Sequence, residues 1–347
     1  MFGFAERQGA VHSGAGPLMA GATILGCLGP VLGAAEAAFF ADADPWGFIL
    51  FARNVENPAQ LRRLTGDLRD SVGRDAPVLV DQEGGRVQRL RAPHWREFLP
   101  ALDQMAQARD PLRAMWLRGR LIADDLYGVG IDVNCAPSGD IAQADTHPFL
   151  KNRCYGTDVA TVVAAGRAMA DGMAAGGVLA VMKHLPGHGR AWQDTHFDLP
   201  RVDTPLAELR ARDFAPFAGL ADLPMAMTAH IVFSDIDPDF PATQSGAVVE
   251  VIRHQIGFDG LLMSDDLSMQ ALRGSHYDRA LATKEAGCDI VLYCKGERQD
   301  AAQVVAGAGL MTAAAVRRGA AALAGRRPPE PGDMAGFAAE LAGLLDG

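Results

Sequence analysis

Hydrophobic positions along this chain come in blocks. Runs such as "GFILF" (47–51), "PVLVD" (77–81) and "CDIVLYC" (288–294) are apolar almost without interruption, whereas strands with one wet face would alternate. "PLMAGATIL" (17–25), "GIDVNCAP" (130–137), "VLAVMKH" (178–184), "PMAMTAH" (224–230) and "GLLMSDD" (260–266) share that character, which makes eight candidate strands buried on both faces. Helical patterns lie between them. "NPAQLRRLTGDLRDSV" opens with Asn57 as N-cap and Pro58 in the first turn, and "DPLRAMWLRGRLIADDLYGVG" repeats the device with Asp110 and Pro111 before ending on glycine. "TDVATVVAAGRAMADGMAAGG" and "TPLAELRARDFAPFAGL" follow the same logic, so each is expected to form a helix. Strand–helix alternation repeated about eight times predicts an α/β fold, a single (β/α)8 TIM barrel with its active site at the C-terminal rim of the strands. An open doubly wound sheet is the structural alternative. It would want a glycine-rich phosphate turn, and no G-x-G-x-x-G or Walker pattern is present.

The two ends of the chain complete this picture. Residues 17–40 are apolar enough to suggest a signal peptide, but Glu6 offsets Arg7 ahead of them, and prolines, glycines and Glu36 interrupt the run. A first buried strand, a turn and a short helix are expected there, after an N-terminal leader over 1–16. "GRRPPEPGD" is a polar, proline-rich linker before a last helix in "GDMAGFAAELAGLL". The expected organisation is therefore a single TIM-barrel domain over 1–347, with about 324–347 as linker and last helix.

Composition narrows the chemistry. With 347 residues, 49% hydrophobic and 21% charged, the chain is ordinary globular material, and its net charge of −10 without a basic run argues against nucleic-acid binding. Cys27, Cys135, Cys154, Cys288 and Cys294 are odd in number and lack C-x-x-C spacing, which fits a reducing compartment rather than a disulfide framework or zinc ribbon.

Chemically useful side chains fall where the apolar runs stop. Arg53 and Asn54, Asp81, Asn134, Lys183 and His184, His230, and Asp265 and Asp266 all follow candidate strands, and in a parallel barrel those points share one rim. The densest stretch is "MKHLPGHGRAWQDTH" (182–196). His184 and His188 have the i, i+4 spacing of helical metal ligands, but Pro186 and Gly187 forbid that helix, and no further His/Asp set completes a metal site. Acid–base work fits better: in "DTH" the carboxylate of Asp194 can orient the imidazole of His196, and Gly187 and Gly189 would let the loop move. Read blandly, "DTH" is an exposed turn and the Asp265–Asp266 pair is a helix cap. The shared rim is what raises both to candidates.

"KHLPGHG", "DTH" and "SDDLSM" together resemble glycoside hydrolase family 3, and within it the bacterial β-N-acetylhexosaminidases of the NagZ type. "FARN", "VDQEGGRVQRL", "KNRCYG", "MTAHI" and "AGCDIVLYC" follow in the family's order, so the resemblance runs from about residue 17 to about 295. It implies a TIM barrel with no cofactor and no metal that removes terminal β-linked N-acetylglucosamine with retention, through a covalent glycosyl-enzyme. By motif, Asp265 would be the nucleophile and His196 the general acid/base paired with Asp194. Asp81, Arg89, Arg153, Lys183 and His184 would hold the sugar, and Asp266 would be structural. The implied substrate is a small carbohydrate or muropeptide, namely anhydro-muropeptides of peptidoglycan recycling in the bacterial cytoplasm, with no nucleic-acid or membrane partner. The chemistry is consistent: retention needs a carboxylate beneath the anomeric carbon and a proton donor on the leaving oxygen.

Three departures stand out. "DTH" replaces the family's frequent "DSH", "APSGDI" replaces "APVLDV" near Asp140, and Trp192 sits in the loop, either lining the aglycone side or packing the loop. Rival readings remain. The same residues suit a phosphorylase, because a neutral histidine base repels phosphate less than glutamate would. A metal-dependent hydrolase and a non-catalytic sugar-binding barrel are the others.

Overall fold

A computed structural model of the chain describes residues 20–191 and 199–346. Its strands are β1 (Gly21–Gly26), β2 (Pro45–Leu50), β3 (Val78–Val80), β4 (Val133–Asn134), β5 (Leu179–Leu185), β6 (Arg201–Val202), β7 (Met225–Thr228), β8 (Val232–Phe233), β9 (Leu261–Asp266) and β10 (Ile290–Tyr293). Eight of them close a barrel in the order β1-β10-β9-β7-β5-β4-β3-β2, every pairing parallel. Helices separate the strands, so the fold is a (β/α)8 barrel of the expected kind. All eight apolar runs supply a barrel strand. The sequence reading did not anticipate the short parallel pair of β6 and β8 outside the barrel.

The continuous hydrophobicity of those runs has its reason in burial. Every residue of β1, β2, β3, β5, β7 and β10 is buried, with side chains inside the barrel on one face and helices covering the other. Each fully buried Leu, Ile or Phe contributes about 1.5–3 kcal/mol, so polar residues are sparse inside the strands, the buried Thr23 of β1 and Ser264 of β9 among them.

Local signals set the helices. Asn57, Asp110 and Asp158 accept from the amides of Gln60, Arg113 and Thr161, capping helices Pro58–Ser71, Pro111–Tyr127 and Val159–Ala175. Each such cap stabilises by roughly 1 kcal/mol. The single helix expected from "TPLAELRARDFAPFAGL" is instead two, Leu206–Ala211 and Ala215–Gly219. Pro216 is the physical reason: it has no amide hydrogen, and its ring would strike the carbonyl four residues back in a continuous helix, so it sits in the first turn of a new one. Near the C-terminus, helix Met334–Leu345 packs on helix Pro111–Tyr127 through the Arg113–Glu340 ion pair at 2.7 Å and edge-on Trp116 and Phe337 rings. Among the described residues no helix is long and apolar enough to cross a membrane.

Candidate active site

One cleft gathers the expected side chains. It opens at the C-terminal ends of the strands and is lined by Asp81, Arg89, Arg153, Lys183, His184 and Asp265, with Phe51, Phe149, Met227, Met269 and Leu292 giving apolar surface. All six of these sequence-predicted residues are thus brought together. Asp194, His196 and Trp192 lie outside the described residues.

The wall from β3 to β5 is built as an ion cluster. Asp81 leaves β3, and the chain then turns through "EGG". Gly84 must be glycine there, because its φ is +99° and a Cβ would lie 2.1 Å from the Arg118 guanidinium. Arg118 is fully buried and donates to the backbone carbonyls of Glu83 and Leu99 and to the Gln104 side chain, which fixes where Glu83 stands. Glu83 then takes Arg153 in a two-pronged pair at 2.8 and 3.0 Å and Lys183 at 2.5 Å. Lys183 also donates to Asp81 at 2.8 Å, and Arg89 reaches Asp81 at 3.2 Å. The Arg89 guanidinium lies over the Phe51 ring, 5.4 Å from its centroid, and Arg153 lies over Phe149 at 5.2 Å.

This cluster sets its own charge states. Burial favours neutral Glu83, but Arg153 and Lys183 outweigh it and hold the carboxyl down at about 2. Burial likewise opposes ionisation of Asp81, and Lys183 and Arg89 reverse it, so the group stays well below the ordinary carboxylate range. Lys183 is the mirror image: desolvation would neutralise the ammonium, yet Asp81 and Glu83 raise it above its usual value.

His184 stands at the end of β5, after a cis peptide with Lys183. Its Nε2 lies 3.2 Å from Arg153, which can only donate, so Nε2 accepts and Nδ1–H donates to Asp140 at 2.7 Å. His188 packs edge-on against it with ring centroids 5.4 Å apart, and burial pushes its imidazole down to about 4. Gly189 packs too closely for any side chain, since a Cβ would lie 2.1 Å from the Ile141 carbonyl oxygen. Close packing is therefore a reason for that glycine independent of the loop motion expected from sequence.

Across the cleft, Asp265 ends β9. Its carboxylate accepts the Asp266 amide at 2.8 Å. Burial works against its ionisation, but the His230 imidazole, that amide and Lys183 together lower its pKa. Asp266 has a different task. It accepts from the amides of Ser268 and Cys294 and from the Ser268 hydroxyl, tying the β9 turn to the end of β10.

Three other strand-end residues brace the rim from outside the cleft. Asn134 exchanges hydrogen bonds with the Gln82 backbone, Asn54 holds the carbonyls of Cys27 and Gly29, and Arg53 spans Cys27 and Cys294. Sequence reasoning gave no role to Glu83, Asp140 and His188. The signal for Glu83 was present in unbalanced charge, because Arg153 and Lys183 in one pocket require more than Asp81 alone. Among the described residues, no group of three or more His, Cys, Asp or Glu is placed to hold a metal ion.

The comparisons with known proteins agree on a family. The model of the glycosyl hydrolase family 3 N terminal domain matches residues 34–323. A beta-hexosaminidase from Bordetella avium is 38% identical over 257 residues, 72% of this chain and 73% of its own. Native NagZ from Neisseria gonorrhoeae superposes with a TM-score of 0.82 at 29% identity, covering 94% of this chain and 98% of that one. NagZ from Neisseria gonorrhoeae in complex with N-trifluoroacetyl-D-glucosamine gives a TM-score of 0.77 at 29% identity, with 95% and 99% covered.

Proposed function

The chain belongs to glycosyl hydrolase family 3 and is a glycoside hydrolase, and from that premise we propose that it is a retaining exo-β-N-acetylglucosaminidase acting through a glycosyl–Asp265 intermediate. The observation that carries this reading is the cleft's division of labour: a carboxylate with a lowered pKa faces a wall of fixed ions. Fixed ions suit sugar hydroxyls, and an ionised carboxylate suits the cationic character of a glycosyl transition state. Asp81, Arg89, Arg153, Lys183 and His184 hold the sugar. In the first step an Asp265 oxygen bonds to the anomeric carbon as its bond to the leaving oxygen breaks, and His196, oriented by Asp194, gives that oxygen a proton. In the second, water adds to the anomeric carbon, returns a proton to His196 and releases Asp265.

The relatives named beta-hexosaminidase and the neighbour bound to an N-acylated glucosamine support the N-acetyl sugar. A cell-wall fragment of the anhydro-muropeptide kind, met in the bacterial cytoplasm during peptidoglycan recycling, is the substrate this reading assigns. The five free cysteines fit that reducing compartment.

The test is release of aryl alcohol from an aryl β-N-acetylglucosaminide by purified protein in the presence of chelator, followed by product analysis in phosphate buffer. Free N-acetylglucosamine is expected. No turnover, turnover abolished by chelator, or sugar 1-phosphate as product would each overturn the proposal.

A further inference from the structure

Asp140 is fully buried on the segment that follows β4, where the Gly139 amide donates to the Lys183 carbonyl at 2.8 Å and lays that segment beside the end of β5. Its two carboxylate oxygens face two separate donors. Oδ2 accepts Nδ1–H of His184 at 2.7 Å, and Oδ1 accepts the backbone amide of His188 at 2.6 Å. The Ser138 hydroxyl adds a third contact to Oδ2 at 3.2 Å. We infer that Asp140 is a positioning residue for the glycosidase reaction, fixing the tautomer of the sugar-facing His184 while pinning the chain at His188.

The inference rests on the reading that His184 holds substrate. Its physical content is a count of acceptors. Arg153 presents an N–H to Nε2 of His184, so that nitrogen must keep its lone pair and Nδ1 must carry the proton. Only a group with an acceptor at both ends then satisfies His184 and His188 together. An amide of the same size does not. If its oxygen faces the His188 amide, its NH2 faces Nδ1–H of His184, and the imidazole either loses a partner or moves its proton to Nε2, against Arg153. If the amide is turned over, the His188 N–H is orphaned instead. The stem beyond His188 is held separately, by Thr146 donating to the Gly189 carbonyl and Arg190 paired with Asp213 at 2.8 Å, so Asp140 is the link between stem and imidazole.

The experiment is a double-mutant cycle of Asp140→Asn and His184→Ala, read as kcat/KM on an aryl β-N-acetylglucosaminide with Tm measured alongside. Asp140→Asn alone should cost on the order of 100-fold, as expected for a misplaced substrate-holding group. In the His184→Ala background it should cost less than about threefold, because the amide oxygen is free to face His188 once the imidazole is gone. Losses that simply multiply would make Asp140 a general structural acid and overturn the inference, as would wild-type kcat/KM in Asp140→Asn. An inactive wild type would instead sink the underlying reading of function. Nitrogen NMR of the histidine rings in the wild-type protein tests the same point without a substitution at Asp140. The His184 resonances, assigned by their loss in His184→Ala, should show Nδ1 protonated and Nε2 bare. The opposite tautomer contradicts the inference.

Discussion

Acids and arginines cluster at both ends of this barrel, and they are arranged differently. At the N-terminal end, Asp289 stands just before β10, accepts the Leu262 amide of β9 at 3.0 Å and pairs with Arg253 at 2.7 Å and Arg318 at 3.1 Å. Arg318 then spreads to Asp259, which is 75% exposed. Asp132 repeats the arrangement before β4, accepting the Val78 amide of β3 and pairing with Arg69. At the C-terminal end, Glu83 and Lys183 are 5% and 2% exposed, and Lys183 lines a cleft. The lower networks sew neighbouring strands together and run out into water, whereas the upper one is enclosed and directs its ions inward. Charge density alone therefore does not mark a site. Enclosure, convergence and proximity to a carboxylate such as Asp265 distinguish one end from the other.

Substitutions at the two ends should separate activity from stability. The largest effect belongs to Asp265→Asn, which keeps size and loses the nucleophile. Its kcat should fall on the order of 10,000-fold with Tm nearly unchanged, and retention of more than a tenth of wild-type kcat would remove Asp265 from the chemistry.

His196→Ala follows. Steady-state kinetics should show a loss of about 100- to 10,000-fold on an alkyl glycoside, which needs its leaving oxygen protonated, and a far smaller loss on an activated aryl glycoside. Equal losses would count against His196 as proton donor.

Glu83→Gln comes next, because it leaves Lys183 and Arg153 short of a partner. Denaturant unfolding should show a stability loss of about 3–5 kcal/mol, with kcat/KM down on the order of 100-fold.

The smallest change lies at the other end. Arg318→Gln should cost about 1 kcal/mol and leave kcat/KM within about twofold of wild type. A large activity loss there would erase the distinction between the two ends.

Acid should sharpen the same contrast. Burial disfavours the charged form of His188 and brings its pKa down to about 4 in the folded protein against an ordinary 6.5. As pH falls through 6.5 the unfolded chain takes up that proton and the folded one does not. The stability His188 contributes is therefore full above 6.5 and lost progressively toward 4. Urea midpoints followed from pH 7 to pH 4 should fall less steeply in His188→Gln than in wild type. An unchanged slope would contradict the depressed pKa.

Much of this was legible in the sequence, for stateable reasons. The eight strands announced themselves because burial on both faces demands unbroken apolar runs, and Asn57 and Asp110 marked helix starts because their side chains replace a missing acceptor. Asp81, Lys183 and Asp265 were visible as polar residues ending those runs. Glu83 and Asp140 were not, since both look like turn residues in "DQEGG" and "APSGD". Their function is to satisfy donors that approach from distant segments, Arg153 and Lys183 in one case and His184 in the other. Asn134 and Asn54 carried the right pattern for a site and proved to brace backbone. Pro216 was legible as a helix breaker and was read through.

The central claim is that Asp265 bonds covalently to the sugar. Intact-protein mass spectrometry after mixing with a 5-fluoro β-N-acetylglucosaminyl fluoride tests it directly, because the ring fluorine slows both steps while the good fluoride leaving group restores the first, so the glycosyl-enzyme accumulates. The account predicts a mass increase of one fluorinated N-acetylglucosaminyl residue, mapped by peptide digestion to Asp265 and absent from Asp265→Asn. A label on another residue, or rapid turnover of ordinary substrate with no trapped species, would contradict it.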